Sequence, residues 1–173
     1  IAYEHSMKAK WILSFVVLSV ANACLAGTLK SPDGQILLSF ELRDFEGAKQ
    51  CPTYSVFFKG NPLVAESRLG FDLKGGSALS DSFEVLSTDI SKRDSRWKPV
   101  YGERSEIRDH YNQMRVSLSQ KKFPALELVF RCYNSGVAMY YRIPKTEWRE
   151  KITINKELTE FRFLANHTAW CAN

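Results

Sequence analysis

Two aromatic residues and a carboxylate in one short segment have the chemistry that sugar binding requires. Trp97, Tyr101 and Glu103 all lie within the sequence WKPVYGE. Aromatic rings present flat apolar faces to a ligand, and a carboxylate accepts hydrogen bonds from hydroxyl groups. Loop aromatics also pack against one another without any ligand, and this alternative stays open. The three residues are a candidate carbohydrate-binding group.

A pair of glutamates, Glu157 and Glu160 in the sequence ELTEFRF, forms the second candidate group. In an unbroken strand alternate side chains share a face, so Glu157 lies on the side of Phe161 and Glu160 on the opposite side. A carboxylate on an apolar face is costly unless it is paired or coordinated. For Glu160 the simpler interpretation is a surface ion pair with Arg162, worth about 0–1 kcal/mol. If the strand instead begins after Glu157, that side chain only caps a turn.

The cysteines and histidines do not form a metal-binding pattern. The three histidines are far apart in the sequence. Loss of an N-terminal leader would leave Cys51, Cys132 and Cys171, an odd number without C-x-x-C spacing, which predicts no obligatory disulfide framework. Cys132 lies in an apolar run and is expected to be a small buried hydrophobe.

Strands, not helices, are predicted to position these groups. Residues 36–42 alternate apolar and polar side chains, as a strand with one buried face requires. The same alternation at 54–58, followed by KGNP, predicts a hairpin into 63–64. Strands are also predicted at 83–86, 115–118, 126–131, 137–143, 152–154 and 161–164, with 94–111 as the longest irregular stretch. Strands separated by Gly, Pro, Asn and Asp predict an all-β fold, an antiparallel β-sandwich.

Residues 1–26 are predicted to be upstream sequence and a signal peptide. Two lysines precede an apolar run of about ten residues, which is too short to span a bilayer. Small residues predict cleavage after Ala26, so the protein is expected in the periplasm or outside the cell. Alternatively, ANAC is a lipobox and Cys24 carries a lipid anchor. Residues 27–173 then form one β domain, predicted to be incomplete because the sequence stops just after a predicted strand.

The charge distribution argues against a nucleic-acid partner. The chain of 173 residues has 24 basic and 19 acidic side chains, and the basic ones are scattered rather than gathered in a run. A small net charge of this kind concerns solubility, not fold. We expect no nucleic-acid binding and no transmembrane helix.

Seven segments in a fixed order resemble the N-terminal domain of glycoside hydrolase family 97, which contains α-glucosidases and α-galactosidases of Bacteroidetes. Each segment alone is short, but they occur in the family's order along a match that runs from about residue 31 to residue 170. They are SPDG at 31–34, YSV at 54–56, SRLG at 67–70, WKPVYGE at 97–103, YN at 111–112, FRCYNSGVA at 130–138 and ELTEF at 157–161. The chain departs from the usual family pattern at Cys132, at Ser135 and over 139–141.

The resemblance implies a galactose-mutarotase-like β-supersandwich followed by a (β/α)8 barrel that this chain does not contain. Family members carry their catalytic carboxylates on that barrel, so no catalytic residue is assigned here and the chain alone should be inactive. The resemblance also implies an active-site Ca²⁺ to which this domain lends one glutamate. Glu157 is the candidate ligand and Glu160 the alternative.

The leading functional prediction is therefore the N-terminal domain of a secreted calcium-dependent α-glycosidase acting on oligosaccharides. In this interpretation the domain forms part of the active-site wall. Its partners are the α-linked oligosaccharide and the barrel of the same polypeptide. The alternative is a free-standing carbohydrate-binding or surface β-sandwich module.

Overall fold

The chain folds into antiparallel β-strands. The computed structural model describes residues 24–74, 78–121, 123–145, 151–166 and 168. Within these ranges there are eleven strands and no helix. The strands are β1 (Cys24–Lys30), β2 (Ile36–Phe45), β3 (Ala48–Phe58), β4 (Asn61–Arg68), β5 (Phe71–Leu73), β6 (Ala78–Leu79), β7 (Phe83–Trp97), β8 (Ile107–Gln120), β9 (Phe123–Tyr133), β10 (Gly136–Arg142) and β11 (Ile154–Glu157). The predicted all-β class is confirmed.

Consecutive strands build two four-stranded sheets. The first has the order β1-β2-β3-β4 and the second the order β10-β9-β8-β7. A third, small sheet has the order β11-β5-β6. The β3–β4 turn is the hairpin predicted from KGNP. Lys59 and Gly60 have φ values of 50° and 80°, as a two-residue turn matching the strand twist requires.

The two large sheets pack face to face around one hydrophobic core, as a β-sandwich does. Leu38 and Phe40 of β2 and Met114 and Phe130 of the second sheet are each 0% exposed. The ring centroids of Phe40 and Phe130 are 5.7 Å apart. Cys132 is a free, buried cysteine in this core, as predicted. Burying each large apolar side chain contributes about 1.5–3 kcal/mol, so this layer stabilises the sandwich.

The stretch 94–111 was predicted to be irregular, and this prediction is wrong at both ends. β7 continues to Trp97 and β8 begins at Ile107, so only 98–106 lies outside strands. Arg108 holds Asp94 across the two strands with a 2.6 Å ion pair. Both faces of this hairpin end meet solvent, so the alternation that marks a half-buried strand is absent from its sequence.

The strands predicted at 152–154 and 161–164 also differ from the structure. β11 is displaced to Ile154–Glu157. Beyond it, Phe163 pairs with Val64 in an isolated bridge and does not belong to a named strand. The N–H of Arg162 donates to the side chain of Ser67 instead of a backbone carbonyl. A side-chain acceptor therefore interrupts the backbone ladder that a regular strand would need.

Most of the predicted leader lies outside the described residues, which begin at Cys24. β1 crosses the predicted cleavage point, and its pairing with β2 changes register between Leu25 and Gly27. Cys171 also lies outside the described residues. The part of the chain that the structure describes contains no helix with the length and apolarity needed to cross a membrane.

Candidate functional site

A cavity of about 860 Å³ opens between the two large sheets. β3 and β4 form one wall, and β10 with the turn before it forms the other. The segment after β11 lies at one end. The lining of the cavity is mainly apolar with a few polar groups, which is typical of ligand sites. The lining residues are Ile36, Tyr54, Val56, Phe58, Leu63, Val64, Asn134, Ser135, Gly136, Val137, Ala138, Met139, Tyr141, Glu157, Thr159 and Phe161.

Alternate residues of the segment 157–161 face this cavity. Glu157, Thr159 and Phe161 line it. The backbone N–H groups of Leu158 and Glu160, between them, donate to carbonyl oxygens of the β4–β5 region, each at 2.9 Å. The shared face of Glu157 and Phe161 is therefore present as predicted, although β11 ends at Glu157. The carboxylate of Glu157 is exposed at the cavity rim.

A directed chain of hydrogen bonds holds this carboxylate. The Thr159 hydroxyl donates to Glu157 Oε1 at 2.6 Å. Because a hydroxyl has one proton, Thr159 Oγ1 must accept in its 2.6 Å contact with the Tyr141 hydroxyl. Tyr141 in turn accepts from the Gly70 N–H at 3.3 Å. We call these four residues the Glu157 relay.

Gly70 is fixed at the start of the relay. Its φ is +138°, and an added Cβ would lie 2.8 Å from Ser80 Cα and still closer to the Leu79 carbonyl oxygen. Its own carbonyl oxygen accepts the Leu158 N–H at 2.9 Å. No other residue type fits this close approach without distortion. The backbone therefore holds the Gly70 N–H at a fixed point.

Tyr141 is held from a second side by Phe71. The two ring centroids are 4.5 Å apart with an edge-on angle of 60°. Phe71 is also the residue opposite Glu157 in the β5–β11 ladder. Burial raises the pKa of Tyr141 above its ordinary value, while its hydrogen bonds with Thr159 and Gly70 lower it and nearby Glu157 raises it. Tyr141 therefore stays protonated and able to donate at neutral pH.

Glu160 lies on the other side of the segment. Its Oε2 accepts the Arg68 N–H at 3.1 Å, so the predicted ion pair with Arg162 is replaced by a backbone contact. Its carbonyl oxygen accepts from the Tyr54 hydroxyl at 2.8 Å. Burial raises the pKa of Tyr54 to about 12. Glu160 thus joins the segment to the first sheet.

The aromatic candidates lie apart from the cavity. Trp97 is the last residue of β7 and is 52% exposed, and Tyr101 is 90% exposed. Glu103 is exposed in the same loop. None of the three lines the cavity. The structure therefore places them at the exposed end of the β7–β8 hairpin, where Tyr101 has most of its ring surface available.

Near Glu157 the described residues supply one carboxylate that could bind a hard cation, but not a full set of ligands. Ca²⁺ takes 6–8 oxygen ligands, and a carboxylate has about four lone-pair positions, of which Thr159 uses one. Among the described residues no group of three or more His, Cys, Asp or Glu side chains could hold a metal ion. Glu157 can supply one ligand, and the others would have to come from elsewhere.

Tyr141, Thr159 and Gly70 were not predicted as site residues. Strand alternation could have indicated Tyr141, because a tyrosine on the inner face of β10 needs a partner for its hydroxyl. Gly70 carries no such signal. Its role follows from a contact with Tyr141, which lies 71 positions later.

The sequence matches the family description "Glycosyl-hydrolase 97 N-terminal" over residues 29–173. Among solved structures, a Glycoside Hydrolase Family 97 enzyme from Pseudoalteromonas sp. strain K8 in complex with acarbose is 30% identical with a TM-score of 0.71. A substituted form in complex with panose is 29% identical with a TM-score of 0.72. In both comparisons the match covers 80% of this chain and 20% of the solved one.

A beta-arabinopyranosidase has a similar fold. Its TM-score is 0.69 at 22% identity, with 79% of this chain and 21% of the solved chain covered. This chain therefore spans about a fifth of the length of the enzymes that it matches.

Proposed function

Because the chain belongs to the glycosyl-hydrolase 97 N-terminal family, we propose that it is the N-terminal domain of a calcium-dependent α-glycosidase acting on oligosaccharides. The family match over residues 29–173 is the observation that carries this proposal. The match covers only 20% of the solved relative's chain, which supports a catalytic domain on the same polypeptide. The activity is of the α-glucosidase or α-galactosidase type.

The proposed substrate is an α-linked oligosaccharide. Support comes from the family enzyme of Pseudoalteromonas sp. strain K8, which was solved with panose and with acarbose. The domain contributes part of the active-site wall, and the reacting carboxylates belong to the catalytic domain. No residue of this chain is assigned a proton-transfer or nucleophilic role.

Glu157 is proposed to give one ligand to Ca²⁺ shared with the catalytic domain. Its exposure on the cavity rim and its oxygen chemistry support this role. When bound, the cation would supply positive charge and a fixed point for substrate or catalytic oxygens. Glu160 is the weaker candidate because it does not line the cavity and its carboxylate accepts the Arg68 N–H.

The exposed hairpin end is proposed to contact more distant sugar units. Tyr101 and Trp97 offer aromatic surface, and Glu103 can accept hydroxyl hydrogen bonds. These residues lie outside the cavity, so their effect should be on the binding of longer oligosaccharides. We also propose export, with cleavage after Ala26 and with lipidation at Cys24 as the alternative.

Hydrolysis assays on two proteins test the proposal. The complete polypeptide should hydrolyse an aryl α-glucoside or α-galactoside, and residues 27–173 alone should hydrolyse neither. Chelation followed by addition of Ca²⁺ should abolish and then restore the activity. Activity that is indifferent to chelation would contradict the calcium-dependent assignment. Sugar binding by a gene product without a catalytic domain would favour the free-standing module.

A further inference from the structure

We propose that a second pocket, of about 460 Å³ and beside Arg68, binds one ring of a neutral sugar, an inference that rests on the oligosaccharide substrate proposed above. We call it the Arg68 pocket. It is separate from the cavity between the two large sheets, and Phe161 is the one residue that lines both. Its volume is within the range of about 300–1,000 Å³ that small-molecule sites have. The residues that line it are Phe45, Glu46, Arg68, Glu160, Phe161 and Arg162.

Hydrogen bonds hold the two sides of the Arg68 pocket together. The Glu160 N–H donates to the Arg68 carbonyl oxygen at 2.9 Å, and the Arg68 N–H donates to Glu160 Oε2 at 3.1 Å. The Arg162 N–H donates to the Ser67 hydroxyl at 3.0 Å. Because these contacts fix β4 against the segment 160–162, the pocket is formed before a ligand arrives, which lowers the cost of binding.

The guanidinium of Arg68 is held in place without a strong acceptor. It lies over the Phe45 ring, 4.9 Å from the centroid. Its Nη2 contacts the Cys51 sulfur at 3.8 Å, and sulfur is a weak acceptor. Its Nε is buried and has no hydrogen-bond partner among the residues that the structure describes. The guanidinium has more N–H donors than these contacts use, so a bound molecule with acceptors can satisfy its terminal nitrogens.

The charges of the Arg68 pocket favour a neutral ligand with hydroxyl groups. Its two arginines, Arg68 and Arg162, are balanced by two glutamates, Glu46 and Glu160. None of these side chains forms an ion pair with another residue in the described part of the chain. Hydroxyl groups both donate and accept, so a sugar can use the arginine donors and the glutamate acceptors together. An anion would meet repulsion from both glutamates.

Two phenylalanines add apolar surface to these polar groups. Phe161 is 61% exposed, and its ring meets the Tyr54 ring edge-on with centroids 6.4 Å apart. This contact holds the Phe161 ring while most of its surface remains available. Phe45 supports the Arg68 guanidinium from below. Aromatic walls with a few polar groups that fix orientation are usual in small-molecule sites.

Calorimetry with α-cyclodextrin on the complete polypeptide tests the inference. This probe is a neutral, cyclic, α-linked glucan. Arg68→Met should weaken its binding by about 10–100-fold, the loss expected for hydrogen bonds to a charged group. Arg68→Lys keeps the charge but not the fork of donors and should lose less. Phe161→Ala should weaken binding by about 10-fold through loss of the aromatic surface. Urea unfolding of each variant verifies that the protein is folded.

Arg43→Met and Phe163→Ala are the matched controls, and both should bind α-cyclodextrin as the native protein does. Arg43 is two residues before Phe45 in β2, but its guanidinium is already paired with Glu41 and Glu66. Phe163 is 55% exposed and lines neither the Arg68 pocket nor the cavity. Losses in these controls as large as those in Arg68→Met and Phe161→Ala would contradict the site.

The inference and the proposed function can fail separately. If the complete polypeptide hydrolyses an aryl α-glycoside but does not bind α-cyclodextrin, the inference alone is overturned. Native-like binding in both Arg68→Met and Phe161→Ala would also overturn it. Tighter binding of glucuronate than of glucose, lost in Arg68→Met, would contradict a neutral ligand. If no aryl α-glycoside is hydrolysed but the two variants lose α-cyclodextrin binding, the proposed activity is wrong and the Arg68 pocket is supported.

Discussion

Phe71 and Glu157 lie opposite each other in the β5–β11 ladder, and the ring of Phe71 contacts the tyrosine at the centre of the Glu157 relay. The same residue thus meets the glutamate through the backbone and supports its hydrogen-bond chain through the side chain. Substitutions in the β4–β5 region should therefore affect the Glu157 side chain at the cavity rim.

Replacement of Gly70 by Ala should destabilise the protein. The φ of +138° disfavours any side chain, and the new Cβ would meet Ser80 Cα at 2.8 Å. Strained backbone of this kind costs about 1–3 kcal/mol before the collision is added. Gly136→Ala is the matched control, because its Cβ would meet nothing within 4 Å. Urea unfolding of both variants checks this, and equal midpoints would contradict the account of Gly70.

Two leucines test the position of the core. Leu118 in β8 is 1% exposed, whereas Leu86 in β7 is 54% exposed. Leu118→Ala should lower the free energy of unfolding by about 2–5 kcal/mol. Leu86→Ala should change it by less than about 0.5 kcal/mol. Chemical denaturation measures both, and a larger loss at Leu86 would mean that the sheets pack through their other faces.

Cys132 should make the protein less stable at alkaline pH. Burial raises the pKa of its thiol from the ordinary value of 9.0 to about 12. Above pH 9 the Cys132 thiol ionises in the unfolded chain before it ionises in the folded protein. Its contribution to the free energy of unfolding is therefore complete below pH 9 and is lost as the pH rises towards 12. Cys132→Ala should show a shallower fall in stability across this window. In the native protein at pH 8, peptide mapping should find Cys132 unmodified by iodoacetamide, and rapid labelling would contradict its burial.

Tyr101→Ala should affect long substrates and not short ones. In the complete enzyme we expect a higher KM for oligosaccharides and an unchanged KM for an aryl monosaccharide, because the residue lies away from the cavity. The variant should be as stable as the native protein, since Tyr101 is 90% exposed. Val100→Ala, at a fully exposed neighbour, is the control. Equal KM values for all chain lengths would remove Tyr101 from the sugar-binding group.

Most of the fold could be predicted from local alternation, which is clearest in β2, where every second side chain from Ile36 to Leu42 is buried and those between are partly buried. The prediction failed where that physical cause is missing. The ends of β7 and β8 around Asp94 and Arg108 face solvent on both sides, and ion pairing replaces apolar alternation there. The strand expected at Phe161 and beyond is interrupted because the Ser67 hydroxyl, and not a backbone carbonyl, accepts the Arg162 N–H.

Strand alternation predicts which side chains share a face, and only that part of the site could be predicted from the sequence. Alternation alone placed Glu157 with Phe161 and turned Glu160 to the other side. The relay could not be found in this way, because Tyr141 in β10 meets Gly70 in the β4–β5 connection only in the folded chain. A contact over 71 positions leaves no periodic signal in the chain.

The most direct test of the calcium assignment compares the calcium affinities of Glu157→Gln and Glu160→Gln in the complete polypeptide. Glutamine keeps the shape and one oxygen acceptor but removes the charge that a hard divalent cation favours. Glu157→Gln should weaken calcium binding and reduce activity, which excess Ca²⁺ should partly restore. Glu160→Gln should change little, because an amide oxygen can still accept the Arg68 N–H. Loss of calcium dependence in Glu160→Gln with no change in Glu157→Gln would contradict the account.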